Sequence, residues 1–350
     1  MTQAIAAVVV PAHNEEAVIG RTLHRLLAGT APGELRVVVV PNACTDRTAE
    51  IARQTAARFA AESRTGADGQ SDPRTHVDAP ESADACPDGG PSEGGRAGDG
   101  AAERPGKDVG SAETAGDVII VETATPGKAN ALRVGDEHCG TLFPRVYLDA
   151  DVELDADSVR ALVAACARPG VLACAPVPEL DLDGVGPVAR RMHRVHERLI
   201  APHRALAGVG VYVLTEEGHA RAFPIPADVI SDDGWIHRSF RPDERAVVPE
   251  ARSVVRPART VRAHLRRRVR VRMGNRQLDA LGLPLPEGRL KPGDLRSLVR
   301  RREVSVPDAA CYLAVLLLDR ALTRLRARKQ GGQVAWGSDA STRITHRPAR

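Results

Sequence analysis

Residues 5–16 read Ile-Ala-Ala-Val-Val-Val-Pro-Ala-His-Asn-Glu-Glu and decide the fold class of the chain. Ile5–Val10 is a continuous apolar run that Pro11 closes, a pattern typical of a strand buried on both faces of a parallel sheet. We expect a helix directly after it, because Asn14 can cap a helix and Glu15 suits its positive N-terminal end. The segment therefore predicts a first βα unit.

A second βα unit follows within the first sixty residues. Leu35–Val40 repeats the apolar run, and a helix is predicted from about Thr45 and Asp46 toward Phe59. Successive βα units build a mostly parallel sheet with helices on its faces. The start of the chain thus predicts an α/β protein.

The composition changes sharply between residues 63 and 116. This segment has no aromatic residue and few branched aliphatic residues, while glycine, proline, serine, aspartate and glutamate dominate. It offers too little apolar surface to offset the entropy lost on ordering, so we predict a disordered insertion. Since Val118–Val121 resumes the strand pattern, residues 1–62 and 117–240 are predicted to form one domain around it.

The remainder of the chain continues the alternation and then becomes mainly helical. Helices and strands are predicted at Lys128–His138, Val146–Leu148, Ala156–Cys166, Val171–Ala175, 187–206 and Gly208–Leu214. Residues 241–329 are predicted to be a mainly helical C-terminal region, with amphipathic segments at 294–302 and 308–328. The polar residues 330–350 are predicted to be a disordered tail.

Composition and charge argue against a nucleic-acid-binding protein. Hydrophobic residues make up 43% of the chain and charged residues 27%, as in ordinary soluble proteins, and the net charge is only +4. Arginines nevertheless crowd into one late stretch, which indicates a local anion site or a solvated basic helix face. They are Arg266, Arg267, Arg268, Arg270, Arg272 and Arg276. The basic helical C-terminal region is also a candidate for peripheral contact with a membrane.

The sequence predicts a cytoplasmic location, with a membrane-peripheral one as the alternative. Its six cysteines form no CxxC pair and no metal-ligand spacing, so we expect reduced thiols. The N-terminus lacks a basic segment followed by an apolar signal run. The longest late apolar run, Tyr312–Leu318, is much shorter than the roughly 20 residues that cross a bilayer.

Asp149 and Asp151 directly follow a predicted strand. Open α/β sheets bind ligands at the carboxyl ends of their strands, and residues two apart on an extended backbone face the same side. Both carboxylates can therefore converge on a hard cation such as Mg²⁺ or Mn²⁺. A solvated acidic turn at a strand end is the alternative interpretation.

Four segments, taken in order, favour a functional role for Asp149 and Asp151. They are residues 8–16, residues 37–46, Gly127–Leu132 and Leu148–Asp151. In this order they resemble family 2 glycosyltransferases, over residues 3–60 and 117–240. The resemblance implies a GT-A fold with a Rossmann-like, mostly parallel sheet flanked by helices. It also implies a nucleoside-diphosphate sugar as donor.

The resemblance further assigns residues to the donor and the metal ion. Two early strand ends would cradle the nucleoside, Lys128 would approach the phosphates, and Asp149 and Asp151 would bind the metal. The implied donor-binding residues are Pro11, Ala12, Asn14, Glu15, Asn42, Asp46, Lys128 and Asp149. Relatives usually carry an aspartate where this chain has Pro41 and Asn42, so uridine and guanosine donors both stay open. Asn14 and Asp46 can equally be plain helix caps.

Ser231-Asp232-Asp233 lies where the family carries a short acidic motif. By position, the resemblance implies that Asp233 is the catalytic base of an inverting enzyme. A neighbouring acid such as Asp232 would raise the proton affinity of that base. A helix cap before Gly234 is the alternative. The Gln-x-x-Arg-Trp signature of processive relatives is absent from the sequence, which argues against polysaccharide synthesis.

These features together predict a metal-dependent inverting glycosyltransferase that acts on a hydroxyl acceptor. A nucleotidyltransferase is one alternative, although the first strand is not followed by the glycine-rich, basic loop that such an enzyme needs. A catalytically silent module that binds nucleotide sugars is the other. Pro41 and Asn42 are the residues that raise this second alternative.

Overall fold

The protein is described from a computed structural model that places residues 4–68, 109–284 and 291–329. Within these ranges the chain forms nine strands and ten α-helices. The strands are β1 (Ala6–Ala12), β2 (Leu35–Pro41), β3 (Glu113–Ala115), β4 (Val118–Ile120), β5 (Arg145–Leu148), β6 (Glu153–Leu154), β7 (Ala173–Leu180), β8 (Val211–Leu214) and β9 (Arg245–Val255). The helices are α1 (Ile19–Leu27), α2 (Thr48–Asp68), α3 (Lys128–Glu137), α4 (Ala156–Cys166), α5 (Pro187–Ile200), α6 (Glu216–Ala222), α7 (Asp232–Arg238), α8 (Val261–Ala280), α9 (Pro292–Arg300) and α10 (Val306–Lys329).

The strands of the described ranges join one mixed sheet in the order β3-β4-β2-β1-β5-β8-β7-β9-β6. β4, β2, β1 and β5 run parallel to one another, whereas β8 is antiparallel to both of its neighbours, β5 and β7. The ends of β1, β2 and β5 therefore meet the start of β8 at one edge of the sheet. The prediction of a mostly parallel α/β sheet flanked by helices is confirmed.

β1 is apolar along its whole length because helices cover both faces of the sheet. Val8 and Val10 belong to a core with Leu23 of α1, on the face that α1, α2 and α4 cover. Val9 points the other way and packs in a second core with Leu132 of α3. Alternate residues of one strand enter opposite cores, which is why the sequence shows an unbroken apolar run.

The helices near the C-terminus have an apolar cluster of their own. Met192 of α5 and Tyr312 of α10 are buried in it. The buried Asp319 of α10 accepts a hydrogen bond from Arg268 Nε at 2.9 Å and another from Arg272 Nη2 at 3.0 Å. Two arginines of the predicted anion site thus hold α8 to α10. In the part of the chain that the structure describes, no helix is both long and apolar enough to cross a bilayer.

Asn14 does not cap α1, and this prediction was wrong. The helix begins only at Ile19, and Val18 precedes it without a side-chain capping bond. Asn14 itself has φ 54, a left-handed conformation that asparagine tolerates better than most residues. The residues after β1 form a loop instead of a helix start.

The region expected to be helical beyond residue 240 contributes a long strand, β9. Eight of its 11 residues pair with β7 in parallel, and the register shifts between Pro176 and Val177. Pro249 and Glu250 lie within β9 at this irregularity. A proline inside a strand and a bulge both interrupt the periodicity that predicts strands, so the sequence pattern hid this element.

The structured core extends past both predicted boundaries of the insertion. α2 continues to Asp68, and Glu113–Ala115 forms β3, which pairs antiparallel with β4. Arg53 of α2 forms an ion pair with Glu113 at 2.8 Å, which ties β3 to the helix. Residues 69–108 and 330–350 lie outside the described residues, so disorder there stays a prediction.

Candidate active site

The loops after β1 and β2 are tied to each other by side-chain hydrogen bonds. Asn14 Oδ1 accepts a bond from the Thr45 N–H at 2.8 Å, and Asp46 Oδ2 accepts one from the Glu16 N–H at 3.1 Å. Burial opposes the ionisation of Asp46, but hydrogen bonds from Thr48 and Glu16 outweigh it and lower the pKa of this carboxyl. Two predicted donor-binding residues thus fix the shape of this edge of the sheet.

Asn42, at the end of β2, holds the turn that leads into α3. Its Nδ2 donates to the Gly127 carbonyl at 2.5 Å, and its Oδ1 accepts from the Gly127 N–H at 3.2 Å. Its own N–H donates to the carbonyl of Ala12 at 2.8 Å. Asn42 is buried, and both ends of its amide are engaged with the backbone. The structure therefore gives Asn42 a positioning role.

Lys128, the first residue of α3, joins two of the predicted acidic motifs. Its Nζ lies 2.6 Å from Asp149 Oδ1 and 2.9 Å from Asp232 Oδ2. Burial disfavours the charged amine, but the two carboxylates outweigh burial and raise the pKa of Lys128 above its ordinary value. A charged ammonium therefore links the start of α3, the end of β5 and the start of α7.

Asp232 is the more buried carboxylate of this network, with 10% of its side chain exposed. Its Oδ2 lies 3.5 Å from the hydroxyl of Tyr212 on β8. Burial raises the pKa of the Asp232 carboxyl, and Lys128 opposes this shift without cancelling it. The carboxylates of Asp233 and Asp149 raise this pKa further by charge repulsion.

Asp233 lies in a different environment, although it is the next residue. Its carboxylate accepts hydrogen bonds from the Gly208 N–H at 2.8 Å, from Ser231 Oγ at 2.7 Å and from the Gly234 N–H at 2.7 Å. Burial would raise its pKa, but these bonds and the charge of Lys128 lower it below the ordinary value. Asp233 is thus an ionised residue that fixes the start of α7.

Asp149 is held against the start of β8 by a close backbone approach. Its N–H donates to the Gly210 carbonyl at 2.9 Å. Gly210 has φ +69, and a Cβ at this position would overlap Val152 and lie 3.5 Å from Asp149 Oδ2. Only glycine suits this place. Asp151, two residues after Asp149, is half-buried beyond the end of β5.

The sequence from β1 to α2 also matches a family of known proteins. Residues 3–72 match the family described as Glycosyltransferase like family 2. This segment carries the loops that hold Asn14 and Asp46. By this match, residues 3–72 are similar to the family 2-like glycosyltransferases. No curated protein matches its sequence significantly.

Two solved structures are similar to this chain. The mannosyltransferase PcManGT from Pyrobaculum calidifontis, in complex with GDP-Man and Mn²⁺, is 19% identical, with a TM-score of 0.51 over 94% of this chain and 81% of that chain. The glucosyl-3-phosphoglycerate synthase from Mycobacterium tuberculosis, in complex with Mn²⁺, UDP and glucosyl-3-phosphoglycerate, is 17% identical, with a TM-score of 0.44 over 80% and 81%. The first likeness shows the fold of this chain, which is GT-A.

Several residues of the candidate site were not predicted from the sequence. Gly208 binds Asp233, Gly210 makes room for Asp149, and Tyr212 lies beside Asp232. Two glycines immediately before a strand are a recognisable signal of close backbone approach. Tyr212 sits in an apolar strand and carries no such signal.

A cavity of about 260 Å³ opens one helical turn from the acidic motif Asp232-Asp233, at His237. His237, one helical turn after Asp233 on α7, lines it together with Leu206 and Arg245. Burial and the nearby charge of Arg245 lower the pKa of His237 to about 4, so this imidazole is neutral at neutral pH. The cavity therefore combines an apolar wall, a neutral imidazole and a guanidinium.

Proposed function

We propose that this protein is a glycosyltransferase that moves a sugar from a nucleoside diphosphate to a hydroxyl group of an acceptor, with inversion at the anomeric carbon and a divalent metal ion. The observation that carries the proposal is the ion-pair network in which Lys128 joins Asp149 to Asp232. It brings a candidate phosphate-binding cation and a candidate proton acceptor to one point of the fold. Both are needed when a diphosphate leaves as a hydroxyl attacks.

The donor is proposed to bind at the edge formed by the ends of β1, β2 and β5. The N–H groups at the start of α3 and the Lys128 ammonium suit a diphosphate, because a helix N-terminus attracts anions. The loops that carry Asn14 and Asp46 are proposed to flank the nucleoside. PcManGT, which has a similar fold, was solved with a nucleotide sugar, which supports this placement.

Asp149 and Asp151 fit a divalent metal ion for which the diphosphate would supply the other ligands. Mg²⁺ and Mn²⁺ favour carboxylate oxygens, and Mg²⁺ is often held by one or two carboxylates plus substrate phosphates. In the described ranges, no group of three or more His, Cys, Asp or Glu side chains is arranged to hold a metal. Phosphate oxygens are therefore part of the proposed site, and a bound metal would neutralise charge on the leaving diphosphate.

Asp232 is proposed to be the catalytic base. The acceptor oxygen bonds to the anomeric carbon while the bond from that carbon to the diphosphate oxygen breaks, and the hydroxyl proton passes to Asp232. The nucleoside diphosphate then leaves, with Lys128 and the start of α3 opposing its negative charge. The raised pKa of Asp232 favours proton acceptance.

The position of the motif in the sequence points to Asp233 instead, but its environment argues for a positioning role. Three hydrogen bonds hold its carboxylate and lower its pKa, which makes it a weaker proton acceptor. We therefore propose that Asp233 fixes α7 so that Asp232 faces Lys128. The adjoining cavity, lined in part by His237 and Arg245, is the proposed entrance for the acceptor.

A panel of UDP, GDP and dTDP sugars, each with and without Mn²⁺, tests the donor assignment. The true donor should raise the unfolding temperature in a metal-dependent way, because a ligand that binds the folded state stabilises it by mass action. Assays of the same sugars should then show transfer. Stabilisation without transfer to any acceptor or to water would identify a silent binding module, and no stabilisation by any sugar would contradict the proposal.

Calorimetry tests the metal site. Mn²⁺ should bind weakly to the protein alone and tightly with the nucleoside diphosphate that the panel identifies. Asp151→Ala should abolish this coupling and Asp149→Ala should weaken it less, because Asp149 is already engaged by Lys128. Asp157→Ala is the matched control, since its side chain is 91% exposed on α4. Unchanged coupling in the Asp151 variant would show that the acidic pair is only a strand-end turn.

A further inference from the structure

Two cysteine side chains meet where α4 packs on the sheet. Cys166 is the last residue of α4, Cys174 is the second residue of β7, and their Sγ atoms lie 3.4 Å apart. Their spacing along the chain matches no thiol motif, so the sequence pattern did not reveal this contact. The thiols of the other described cysteines lie against backbone carbonyls: Cys44, Cys139 and Cys311. Among the described cysteines, Cys166 and Cys174 are therefore distinguished by a contact between two sulfurs.

The positions of both sulfurs are set by regular structure. Leu172, just before β7, donates its N–H to the Glu244 carbonyl at 2.8 Å and accepts a bond from the Thr215 N–H at 3.1 Å. These bonds fix the start of β7 between β9 and β8. On α4, the Leu162 carbonyl accepts a hydrogen bond from the Cys174 thiol at 3.5 Å. The packing of a helix on a strand thus holds the two sulfurs together.

A disulfide bond lies within reach of this contact. The bond is about 2.0 Å long, so the two Sγ atoms, now 3.4 Å apart, must approach each other by about 1.4 Å. Rotation about the Cα–Cβ bonds moves the sulfurs while the backbone stays in place. Residues 167–170, directly after Cys166, form an exposed turn, so the end of α4 can also adjust. Closing the bond therefore needs no rearrangement of the sheet.

The two thiols differ in their access to solvent. Cys166 is half-buried beside the exposed turn, whereas Cys174 is fully buried. The hydrogen bond with Cys166 and burial raise the pKa of the Cys174 thiol well above its ordinary value. The thiolate is the reactive form of cysteine. A dissolved reagent therefore reaches Cys166 first, and Cys174 reacts only with a sulfur that is attached to Cys166.

We propose that Cys166 and Cys174 are a site of reversible oxidation, at which a small-molecule disulfide creates a bond that ties the end of α4 to the start of β7. The Cys166 thiolate attacks one sulfur of the reagent and displaces one thiol, which leaves Cys166 in a mixed disulfide. The Cys174 sulfur then attacks Sγ of Cys166 and displaces the second thiol. The two protons of the cysteines end on the two released thiols, and the two electrons reduce the reagent.

The proposal does not depend on the proposed function. Cys174 belongs to the core on the face of the sheet that α4 covers, whereas Tyr212 belongs to the core on the α3 face. Lys128, which joins the acidic residues of the candidate site, begins α3. Oxidation should therefore leave nucleotide binding unchanged and act on stability, because a disulfide restricts the unfolded chain.

Treatment of the folded full chain with oxidised glutathione at about pH 8 tests the proposal. After alkylation of free thiols and digestion with trypsin, both cysteines lie in the peptide of residues 161–190, because trypsin does not cleave between Arg168 and Pro169. This peptide should lose two hydrogen atoms and carry no alkyl group. The unfolding temperature should rise by about 5 °C, and dithiothreitol should reverse both changes.

Cys166→Ser should abolish both the bond and the stabilisation. Cys311→Ser is the matched control and should retain both, because Cys311 is also half-buried but lies on α10. Two free thiols in the peptide after oxidation would overturn the proposal, and so would a bond from Cys166 to any other cysteine. The proposal also fails if the bond forms only after urea unfolds the chain, if the oxidised chain unfolds at the same or a lower temperature, or if Cys166→Ser keeps the stabilisation.

Discussion

Asp232 and Asp233 are adjacent, yet their surroundings shift their pKa values in opposite directions. Asp233 receives N–H groups and a hydroxyl, which stabilise its charge, whereas Asp232 faces Tyr212 and two other carboxylates with only Lys128 to offset them. Pairs of carboxyl groups with separated pKa values commonly divide their roles in catalysis. The carboxylate with the raised pKa is the better proton acceptor.

Asp232→Asn should lower the transfer rate by about 10² to 10⁴ and leave donor affinity unchanged, because the base acts on the acceptor hydroxyl. Asp233→Asn is the matched control and should cost much less, since an amide oxygen can still accept the Gly208 N–H. Steady-state kinetics with saturating donor, together with calorimetry of the nucleotide, measures both effects. A larger loss for Asp233→Asn would show that Asp233 is the base, as its position in the motif predicts.

The pH dependence of transfer should follow the same carboxyl. Because Asp232 must be ionised to accept a proton, kcat/KM should fall as the pH drops through its pKa, which lies above the ordinary range of aspartate. Lys128→Met removes a charge that holds this pKa down, so the acid limb of the residual activity should move to higher pH. An acid limb that stays in place in this variant would mean that another group titrates.

Sequence alone could place these residues at one edge of the sheet but could not choose between the two acids. Asp149 follows an apolar strand, and the ends of parallel strands meet, so its location was predictable. Successive residues of a helix point about 100° apart. Which of Asp232 and Asp233 faces Lys128 therefore depends on the orientation of α7 about its own axis. No local sequence pattern predicts that orientation.

Among the elements, β8 positions Asp149 and Asp233 through the loop that precedes it. The chain reverses direction there, in a conformation that only glycine permits. It enters the sheet antiparallel to β5, and Gly210 lies beside Asp149 before the first paired residues, Leu148 and Val211. Gly208, two residues earlier, donates to Asp233. One short loop thus binds the backbone of Asp149 and the carboxylate of Asp233. A change in its backbone should disturb both at once.

Gly210→Ala should destabilise the fold more than a glycine replacement of equal backbone strain elsewhere. Its φ of +69 is unfavourable for alanine, and the new Cβ would also overlap Val152. Gly170→Ala is the control, because Gly170 has φ +81 with no atom within 4 Å of the added Cβ. We expect a loss of about 1 kcal/mol for the control and about 1–3 kcal/mol more for Gly210→Ala. Urea unfolding measures both free energies of unfolding. Equal losses would show that the Val152 side chain moves aside without destabilising the fold.

Elements with unbroken periodicity were predicted well, and interrupted ones were not. β1 and β2 were predictable because both cores demand apolar residues, and α4 begins and ends where its pattern does. β9 was missed because Pro249 and its bulge break the alternation, and residues 241–329 were predicted to be mainly helical. The start of α1 was misplaced because Asn14 serves the contact with Thr45, which lies 31 residues away in sequence.

At the scale of the whole molecule, the residues that flank the predicted insertion on both sides lie at one edge of the sheet. β3 is the outermost strand on that side, and three strands, β4, β2 and β1, separate it from β5. Gly116 lies against Ala60 of α2, so both flanks of the insertion pack on each other. Among the described residues, Asp149 is contacted by Lys128 of α3 and by Gly210 before β8. Fold and activity should therefore tolerate changes in residues 69–108.

Replacing residues 69–108 with a Gly/Ser linker of about ten residues should preserve the fold and raise its stability slightly. Each halving of a flexible loop lowers the cost of closing it by about 0.6 kcal/mol, so a gain of about 1 kcal/mol is expected. Deleting residues 63–116 is the comparison. It also removes β3 and the ion pair between Arg53 and Glu113, so it should lower the unfolding temperature. Thermal unfolding and the donor-binding assay measure both variants. If the shorter deletion destabilises the protein as much as the longer one, residues 69–108 belong to the core and the predicted disorder is wrong.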